Sequence, residues 1–426
     1  MKKSLRWGFT LLGLTVLGLI PDQAMAANFT FTKIADTADG FSSFLQAPAL
    51  NNAGTVAFSA MLSNGSTGVF IGNGGAITPF ALSRNGNGTS PSFSSVLTSP
   101  SINNTGSVAF AASTNSPNNV RIFTSSGGEL TPIATLNKST VTTAIGYTIT
   151  PAINDAGAVA FGAYTIPDPA PDQSYVPRNA IVAISQTGQL TTLSNVDNTN
   201  SSSTTAPAAP TSVALDKFNN VFVSSGAPGP MGGGAIFALS TDQPLRVIKT
   251  GGFYPVSINQ DGTMYTAGSQ GVAGGSTITI GNVNDPSQNR FISGRPVYLP
   301  NSTLVFQPSI NDQNRVVFRA NSTTEDGGSL FFDDYTNPAN KIISVGDSLF
   351  GSTVSGIGQF SARGLNNADQ VVFYARLADG RVGIFRAEPI PEPHTVIPSV
   401  ALLVGFGMRT LRKRRKRLAQ RVTEKL

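Results

Sequence analysis

The chain has no cysteine, one histidine and few charged residues. Only 12% of its 426 residues are Asp, Glu, Lys or Arg, and the single histidine, His394, lies near the C-terminus. Disulfide bonds, thiolate nucleophiles and cysteine-bound metals are therefore excluded. A Ser-His-Asp triad or a histidine-based metal site cannot form in the body of the chain. Much of the enzymatic repertoire is removed by these absences.

Turn-forming and aromatic residues are abundant instead. The sequence contains 44 Gly, 27 Pro and 26 Phe, together with many Asn, Ser and Thr. Few charges, many turn formers and many β-branched or aromatic side chains indicate an all-β protein with many short strands.

The formal net charge of +6 comes from the two ends of the chain. Between residues 28 and 408 there are 17 basic and 21 acidic side chains, so the body is slightly acidic. The sequence therefore does not support a nucleic-acid partner for the body, since that function needs a basic surface.

The N-terminus has the three parts of a secretory signal peptide. MKKSLR is basic, an apolar run extends from Trp7 to Ile20, and Ala24 and Ala26 form an A-x-A cleavage site. We expect residues 1–26 to be removed after Ala26, and an uncleaved membrane anchor is the alternative.

The C-terminus, residues 389–426, has the order of parts of a sorting signal. Pro391, Glu392 and Pro393 precede an apolar stretch from Thr395 to Met408. A cluster of cations follows, comprising Arg409, Arg412, Lys413, Arg414, Arg415, Lys416 and Arg417. An apolar helix that ends in such a cluster is expected to sit in a membrane with its cations in the cytoplasm. The apolar stretch is marginal in length for a full span.

This tail resembles the PEP-CTERM sorting signal of Gram-negative bacteria and cyanobacteria. The resemblance implies a membrane-anchored precursor, processing by an exosortase, and release to the cell surface or the extracellular matrix. Two features depart from the family pattern: Pro398 lies inside the apolar run, and the basic tail continues to Leu426.

One eleven-residue motif recurs seven times between these ends, about every 50 residues. Its copies are LNNAGTVAFSA (50–60), INNTGSVAFAA (102–112), INDAGAVAFGA (153–163), LDKFNNVFVSS (215–225), INQDGTMYTAG (258–268), INDQNRVVFRA (310–320) and LNNADQVVFYA (365–375). This period with β character is typical of a propeller or a β-solenoid.

The rest of each unit favours a propeller. Further apolar runs follow each motif, so a unit contains four strands, which is the content of a propeller blade. The seventh unit ends after GIFRAE (383–388), whereas FTKIADT (31–37) stands alone before the first unit. We predict a seven-bladed β-propeller over residues 27–388, in which the N-terminal strand completes the last blade and no strand edge of that blade is left open.

The units resemble an exported bacterial repeat family with an NxxGxxAF motif. The residues that match it are Asn51, Gly54, Ala57 and Phe58; Asn103, Gly106, Ala109 and Phe110; and Asn154, Gly157, Ala160 and Phe161. The last four units depart, with Asn219, Asn314 or Asp369 in place of Gly and Val223 or Thr266 in place of Phe. The resemblance implies a propeller-like fold and no activity.

The Asn and Gly columns of the motif predict turns. An Asn or Asp side chain can accept a hydrogen bond from a backbone N–H a few residues further along the chain. Gly, Asn and Asp also tolerate the left-handed backbone conformation that reverses the chain. A calcium loop is disfavoured, because the D-x-[DN]-x-[DN]-G pattern with its distal Glu is absent. We predict no cofactor, with incidental calcium binding left open.

Acidic residues are the only candidate catalysts. They are Asp168, Asp172, Glu325, Asp326, Asp333 and Asp334. A glycosidase needs two carboxylates held a few ångströms apart, whereas solvated acids in loops need no partner. The loops that vary most, between the second and third strands and between blades, are expected to share one face and to carry binding.

The hypothesis is an exported, non-catalytic propeller that binds surface polysaccharide or an envelope protein. A polysaccharide-active enzyme that uses loop carboxylates and a purely structural envelope protein are the alternatives.

Overall fold

The protein is described from a computed structural model that covers much of the chain between residues 29 and 390. The described ranges are 29–83, 93–114, 119–125, 130–137, 150–165, 178–196, 210–225, 234–250, 253–270, 276–292, 308–320, 328–334, 337–358 and 360–390. The predicted signal peptide and the sorting tail from Pro391 onward lie outside these ranges.

The described strands form seven antiparallel sheets, each of which is one blade. The strand β1 (Phe29–Asp36) comes first in the chain but belongs to blade 7. Blade 1 contains β2 (Phe41–Phe44), β3 (Ala49–Leu50), β4 (Val56–Leu62), β5 (Thr67–Gly72) and β6 (Thr78–Leu82). Blade 2 contains β7 (Ser95–Val96), β8 (Ser101–Ile102), β9 (Val108–Ser113), β10 (Asn119–Ser125) and β11 (Leu130–Asn137). In both blades the innermost strand is divided into two short pieces, and each piece pairs with the same neighbour.

Blades 3 to 6 each have four consecutive strands. Blade 3 contains β12 (Ala152–Ile153), β13 (Val159–Thr165), β14 (Arg178–Gln186) and β15 (Gln189–Val196). Blade 4 contains β16 (Pro210–Leu215), β17 (Val221–Ser225), β18 (Ala235–Leu239) and β19 (Arg246–Thr250). Blade 5 contains β20 (Phe253–Ile258), β21 (Met264–Gln270), β22 (Ser276–Asn282) and β23 (Arg290–Ile292). Blade 6 contains β24 (Ser309–Ile310), β25 (Val316–Ala320), β26 (Ser329–Phe332) and β27 (Lys341–Ser344).

Blade 7 joins the two ends of the described chain. It contains β28 (Ser348–Leu349), β29 (Ser352–Ile357), β30 (Val371–Leu377), β31 (Val382–Pro389) and β1. The strand β1 pairs antiparallel with β31, from Phe29 opposite Pro389 to Asp36 opposite Gly383. The predictions of seven blades and of closure by the N-terminal strand are confirmed.

The motif strands form the packing between blades. In β9, Val108 and Phe110 pack against blade 1, whereas Ala109 and Ala111 pack against blade 3. The side chains of a strand alternate between its two faces, so bulky residues on one side meet small residues on the next blade. Phe110 also stacks on Phe123, its cross-strand partner, with ring centroids 5.5 Å apart. The alternation of large and small residues in the motif thus sets how closely the sheets pack.

The membrane helix that the sequence predicts falls within the residues that are not described. In the part of the chain that is described, no helix has the length and hydropathy that a membrane crossing requires.

Candidate functional site

The Asn and Gly that recur in the repeats form the turn between the first and second strands of a blade. Asn51 Oδ1 accepts hydrogen bonds from the backbone N–H groups of Ala53 and Thr55, at 3.1 and 2.9 Å. Gly54 then has a φ of +78°, in the left-handed region that Gly adopts without steric penalty.

The same turn recurs in the next two blades. Asn103 Oδ1 accepts from the Ser107 N–H at 2.8 Å, and Asn154 Oδ1 accepts from the Ala158 N–H at 3.0 Å. Gly106 and Gly157 have φ values of +85° and +81°. At the repeats without Gly, the residues with positive φ are Asn219, Asn314 and Asp369. Asn and Asp tolerate this conformation better than other residues with a side chain, which accounts for the composition of the column.

The motif Asn side chains also link neighbouring blades. At five junctions the Nδ2 group of one motif Asn donates to the backbone carbonyl of the equivalent residue in the next blade, over 2.8–3.1 Å. These pairs are Asn51 to Asn103, Asn103 to Asn154, Asn154 to Asp216, Asn311 to Asn366, and Asn366 to Asn51. The last pair connects blade 7 to blade 1. Because these Asn residues are buried, each bond gives a partner to an amide group that water does not reach.

The residue after each motif Asn lies around the axis of the ring. We call these seven residues the mouth residues: Asn52, Asn104, Asp155, Lys217, Gln260, Asp312 and Asn367. Five of their backbone N–H groups donate to the side-chain oxygen of the next mouth residue, at 2.7–3.0 Å. Two Asn side chains add bonds to carboxylates, from Asn104 Nδ2 to Asp155 and from Asn367 Nδ2 to Asp312, at 2.8 and 2.6 Å. These bonds fix the orientation of five of the seven mouth side chains, those of Asn52, Asn104, Asp155, Asp312 and Asn367.

All seven motifs line one axial cavity of about 100 Å³. The segment Ser361–Gly364, which we call the plug, enters it from blade 7. The Ala362 carbonyl accepts from Ser257 Oγ in blade 5 and Ser309 Oγ in blade 6, at 2.8 and 3.0 Å. The Arg363 carbonyl accepts from the Leu50 N–H in blade 1, at 3.0 Å. Four residues thus connect blades 1, 5, 6 and 7.

Arg363 extends across the axis. Its Nη1 donates to the Ile153 carbonyl of blade 3 over 2.8 Å. Burial lowers the pKa of the Arg363 guanidinium to about 10, and the negative charge of Asp155 opposes that shift. The side chain therefore stays cationic at neutral pH, inside a cavity framed by amides and carboxylates.

An aromatic side chain stands beside the mouth. Phe218 follows the mouth residue Lys217 in the blade 4 turn and is 63% exposed. Lys217 Nζ lies 5.0 Å from the centre of its ring. The equivalent position in the other blades holds Ala53, Thr105, Ala156, Asp261, Gln313 and Ala368. An exposed aromatic ring next to fixed hydrogen-bonding groups gives the mouth both an apolar and a polar surface.

A family model with the description "Family of unknown function", DUF7453, matches residues 80–356. The chain belongs to this family. The DUF7453 match begins in the last strand of blade 1 and ends in β29, so it includes blades 2 to 6. The plug lies just beyond it.

A comparison of this DUF7453 chain with curated protein sequences finds no match. It is similar to the solved structure of TolB from Acinetobacter baumannii, with 12% identity and a TM-score of 0.40, over 71% of this chain and 63% of that one. It is also similar to an acylaminoacyl peptidase from Pyrococcus horikoshii, with 13% identity and a TM-score of 0.49, over 80% and 50%. A puromycin-hydrolyzing peptidase from Mycobacterium tuberculosis gives 12% identity and a TM-score of 0.49, over 85% and 55%. The chain thus spans about half to two thirds of these proteins, and likenesses this weak carry no functional argument.

Several of the predicted site residues fall outside the described ranges. These are Ala24 and Ala26 of the cleavage site, the Pro391-Glu392-Pro393 motif, the basic tail, and the loop acids Asp168, Asp172, Glu325 and Asp326. Most of the variable loops that were expected to carry binding lie there as well.

Two of the candidate acids, Asp333 and Asp334, lie within the described ranges, and the Asp334 carbonyl accepts from Asn340 Nδ2 at 3.1 Å. Asp333 has defined side-chain contacts. It forms an ion pair with Arg315, with Nε and Oδ2 2.6 Å apart, and it accepts a hydrogen bond from the Val316 N–H. These contacts hold the end of a strand. Over the ranges that the structure describes, no three acidic or histidine side chains gather as they would around a metal ion.

Sequence reasoning identified the turns but missed the mouth and Arg363. A signal was present for both. The column after the motif Asn is polar in all seven repeats, although a turn needs no polar side chain there. The position two residues before each motif is apolar in six of the seven repeats and cationic in the last. Its residues are Pro48, Pro100, Pro151, Val213, Val256, Pro308 and Arg363.

Proposed function

We propose that the chain is an exported, non-catalytic binding propeller whose mouth holds a surface polysaccharide. The observation that carries the proposal is the ring of mouth residues with Phe218 beside it. Sugars offer many hydroxyl groups and an apolar ring face, and the mouth offers fixed polar groups and an exposed aromatic ring.

Two mouth side chains are free to take part. The amide groups of Asn52 and Gln260 donate no hydrogen bond to the part of the protein that is described, and both residues line the cavity. The Asn52 side chain is held by its oxygen, which accepts from the Asn367 N–H at 2.9 Å. The Gln260 backbone is held by its carbonyl, which accepts from the Lys217 N–H at 2.9 Å, and its side chain extends from that fixed position. An amide that is already held, as at Asn52, loses little entropy when a hydroxyl binds.

Export and surface location form part of the proposal. The signal peptide directs the chain out of the cytoplasm, and the PEP-CTERM-like tail first anchors it in the inner membrane through an apolar helix. An exosortase-type enzyme then releases the propeller to the cell surface or matrix. An envelope protein is the other partner that an exported propeller of this kind would serve.

The non-catalytic part of the proposal is supported by the hydrogen bonds of the two mouth carboxylates. Asp155 and Asp312 each accept two hydrogen bonds from neighbouring mouth residues, which holds them as structural acceptors. A glycosidase would instead need two carboxylates that are free to reach the two sides of the scissile bond.

The experiment measures retention of native extracellular polysaccharide by the purified full chain in detergent. Phe218→Ser and Gln260→Ala should each weaken retention by about tenfold, because stacking and a hydrogen bond to a sugar hydroxyl each contribute about 1–2 kcal/mol. Leu190→Ser is the control, since Leu190 is also exposed but lies in the blade 3 outer hairpin. Failure to retain polysaccharide at any salt concentration would refute the proposal, and shortening of the glycan would favour the enzyme.

The tail is tested separately by mass spectrometry of the mature protein. A C-terminus shortly after Pro393 supports exosortase-type processing. Mature protein that still carries residues 409–426 contradicts it.

A further inference from the structure

We infer that the axial cavity binds the carboxylate of an acidic sugar through Arg363. This inference rests on the proposed function and names the class of polysaccharide: one that contains uronic acid residues.

The plug holds the Arg363 backbone rigidly. Its N–H donates to Ser361 Oγ at 3.0 Å, and its carbonyl accepts from the Leu50 N–H at 3.0 Å. The neighbouring Ala362 carbonyl accepts from two serines of other blades. The guanidinium is therefore placed on the axis before any ligand arrives, as a specific anion site requires.

The guanidinium keeps most of its hydrogen-bonding capacity. Arg363 makes one side-chain hydrogen bond, to Ile153, and no carboxylate lies within ion-pair distance of it in the described ranges. A planar guanidinium normally binds a carboxylate through two parallel N–H···O bonds. A buried cation without a carboxylate partner destabilises the protein, because it has lost its hydration. A carboxylate from a ligand would therefore be held both by hydrogen bonds and by charge attraction.

The cavity has room for a small anionic group. Its volume of about 100 Å³ is several times the roughly 10–15 Å³ that one water molecule needs by the same measure, so a carboxylate fits. We expect the carboxylate to enter next to Arg363 while the rest of the sugar chain stays at the mouth.

The two mouth carboxylates set the strength of the interaction. Asp155 and Asp312 repel an anion through their negative charges, while their hydrogen bonds hold both carboxylates within the ring. Removing one of these charges with a side chain of similar shape should strengthen binding, because the repulsion falls. Asp155→Asn is such a variant.

The experiment is calorimetric titration of the full chain with oligogalacturonate and with a neutral galactose oligosaccharide of the same length. The wild type should bind the acidic ligand at least tenfold more tightly. Arg363→Gln should abolish this preference, Arg363→Lys should keep part of it, and Asp155→Asn should raise affinity for the acid by about threefold. Equal binding of both ligands by the wild type, or a full preference in folded Arg363→Gln, overturns the inference.

Acetate provides a measurement that does not depend on the variants, and its effect on the thermal midpoint does not depend on the sugar. Because it carries the carboxylate alone, it should raise the thermal midpoint of the wild type relative to equal chloride, and it should compete with oligogalacturonate. If Arg363→Gln does not fold, absence of both effects overturns the inference. If acetate binds but no polysaccharide does, the proposed function is refuted while the anion site is supported. If the neutral oligosaccharide binds but acetate does not, the anion site is refuted while the proposed function is supported.

Discussion

The junction between blades 2 and 3 differs from that between blades 4 and 5. At the first, Asn103 donates to the Asn154 carbonyl at 2.8 Å, and the N–H of Asn104 donates to Asp155 at 2.9 Å. At the second, Asp216 replaces the motif Asn. Here the two motif turns are linked by a backbone bond from the Lys217 N–H to the Gln260 carbonyl and by an exposed ion pair between Lys217 and Asp261.

The difference separates two roles of the motif Asn. Its oxygen closes the turn of its own blade, and Asp216 performs this role by accepting from the N–H groups of Phe218 and Asn220. Its amide donates to the next blade, and a carboxylate cannot do so. A groove of about 510 Å³ also opens at this junction, lined by Asp216, Gly262 and Val283 among others. The turn within the blade therefore tolerates Asp in place of Asn. What Asp216 weakens is the hydrogen bonding between blades 4 and 5.

The largest effect is expected from Asn103→Ala. It removes the bond to Asn154 and leaves the buried Ser107 N–H without its acceptor, so the free energy of unfolding should fall by about 3 kcal/mol. Asn259→Ala, at the junction between blades 5 and 6, should lose less, because the Asn259 amide donates to the exposed Asn314 side chain and not to a buried carbonyl, while its turn bonds are lost as at Asn103. Urea unfolding followed by circular dichroism measures both. Equal losses would contradict a special contribution from the buried amide-to-carbonyl bond.

Exchanging Asn and Asp should have opposite effects at the two junctions. Asn103→Asp keeps the acceptor but places a carboxylate against the Asn154 carbonyl, at a loss of about 2 kcal/mol. Asp216→Asn should gain about 1 kcal/mol at neutral pH, since it supplies the missing donor and removes a buried charge. The Asn220 amide, which donates to Asp216, would turn over to accept instead. A loss of stability in Asp216→Asn would show that the carboxylate has a role of its own.

The gain from Asp216→Asn should depend on pH. Burial raises the pKa of the Asp216 carboxyl above its usual value of 3.8. The folded chain then holds this proton more tightly than the unfolded chain, so the wild type loses stability as the pH rises from that value through the raised pKa. The variant has no such titration, and its advantage should grow over the same range. Parallel profiles of the two proteins would contradict the raised pKa.

The smallest effect is expected at the ion pair between Lys217 and Asp261. Both side chains are exposed, so salt screens their attraction. Asp261→Asn should lower the thermal midpoint slightly at low salt and leave it unchanged at high salt. A large change at both salt concentrations would mean that this pair carries the junction after all.

Much of the fold could be predicted from local patterns. The motif repeats seven times, its alternation of Val and Phe with Ala indicates a packed strand, and the solitary segment before Asn51 indicates ring closure. Each of these is encoded within a few residues. The site was less predictable, because the mouth residues lie about 50 residues apart and meet only when the ring closes.

The sequence by itself determined the number of blades, the turn at each motif and the strand that closes the ring, since these follow from residue period and backbone preference. Only the tertiary structure decided that Arg363 crosses the axis, that Ser257 and Ser309 hold the plug, and that blades 4 and 5 are joined at Asp216 without the amide-to-carbonyl bond. These contacts join residues of different blades, up to 210 positions apart in the case of Arg363 and Ile153. No local preference of the chain encodes such distances; they are set by the packing of seven sheets around one axis.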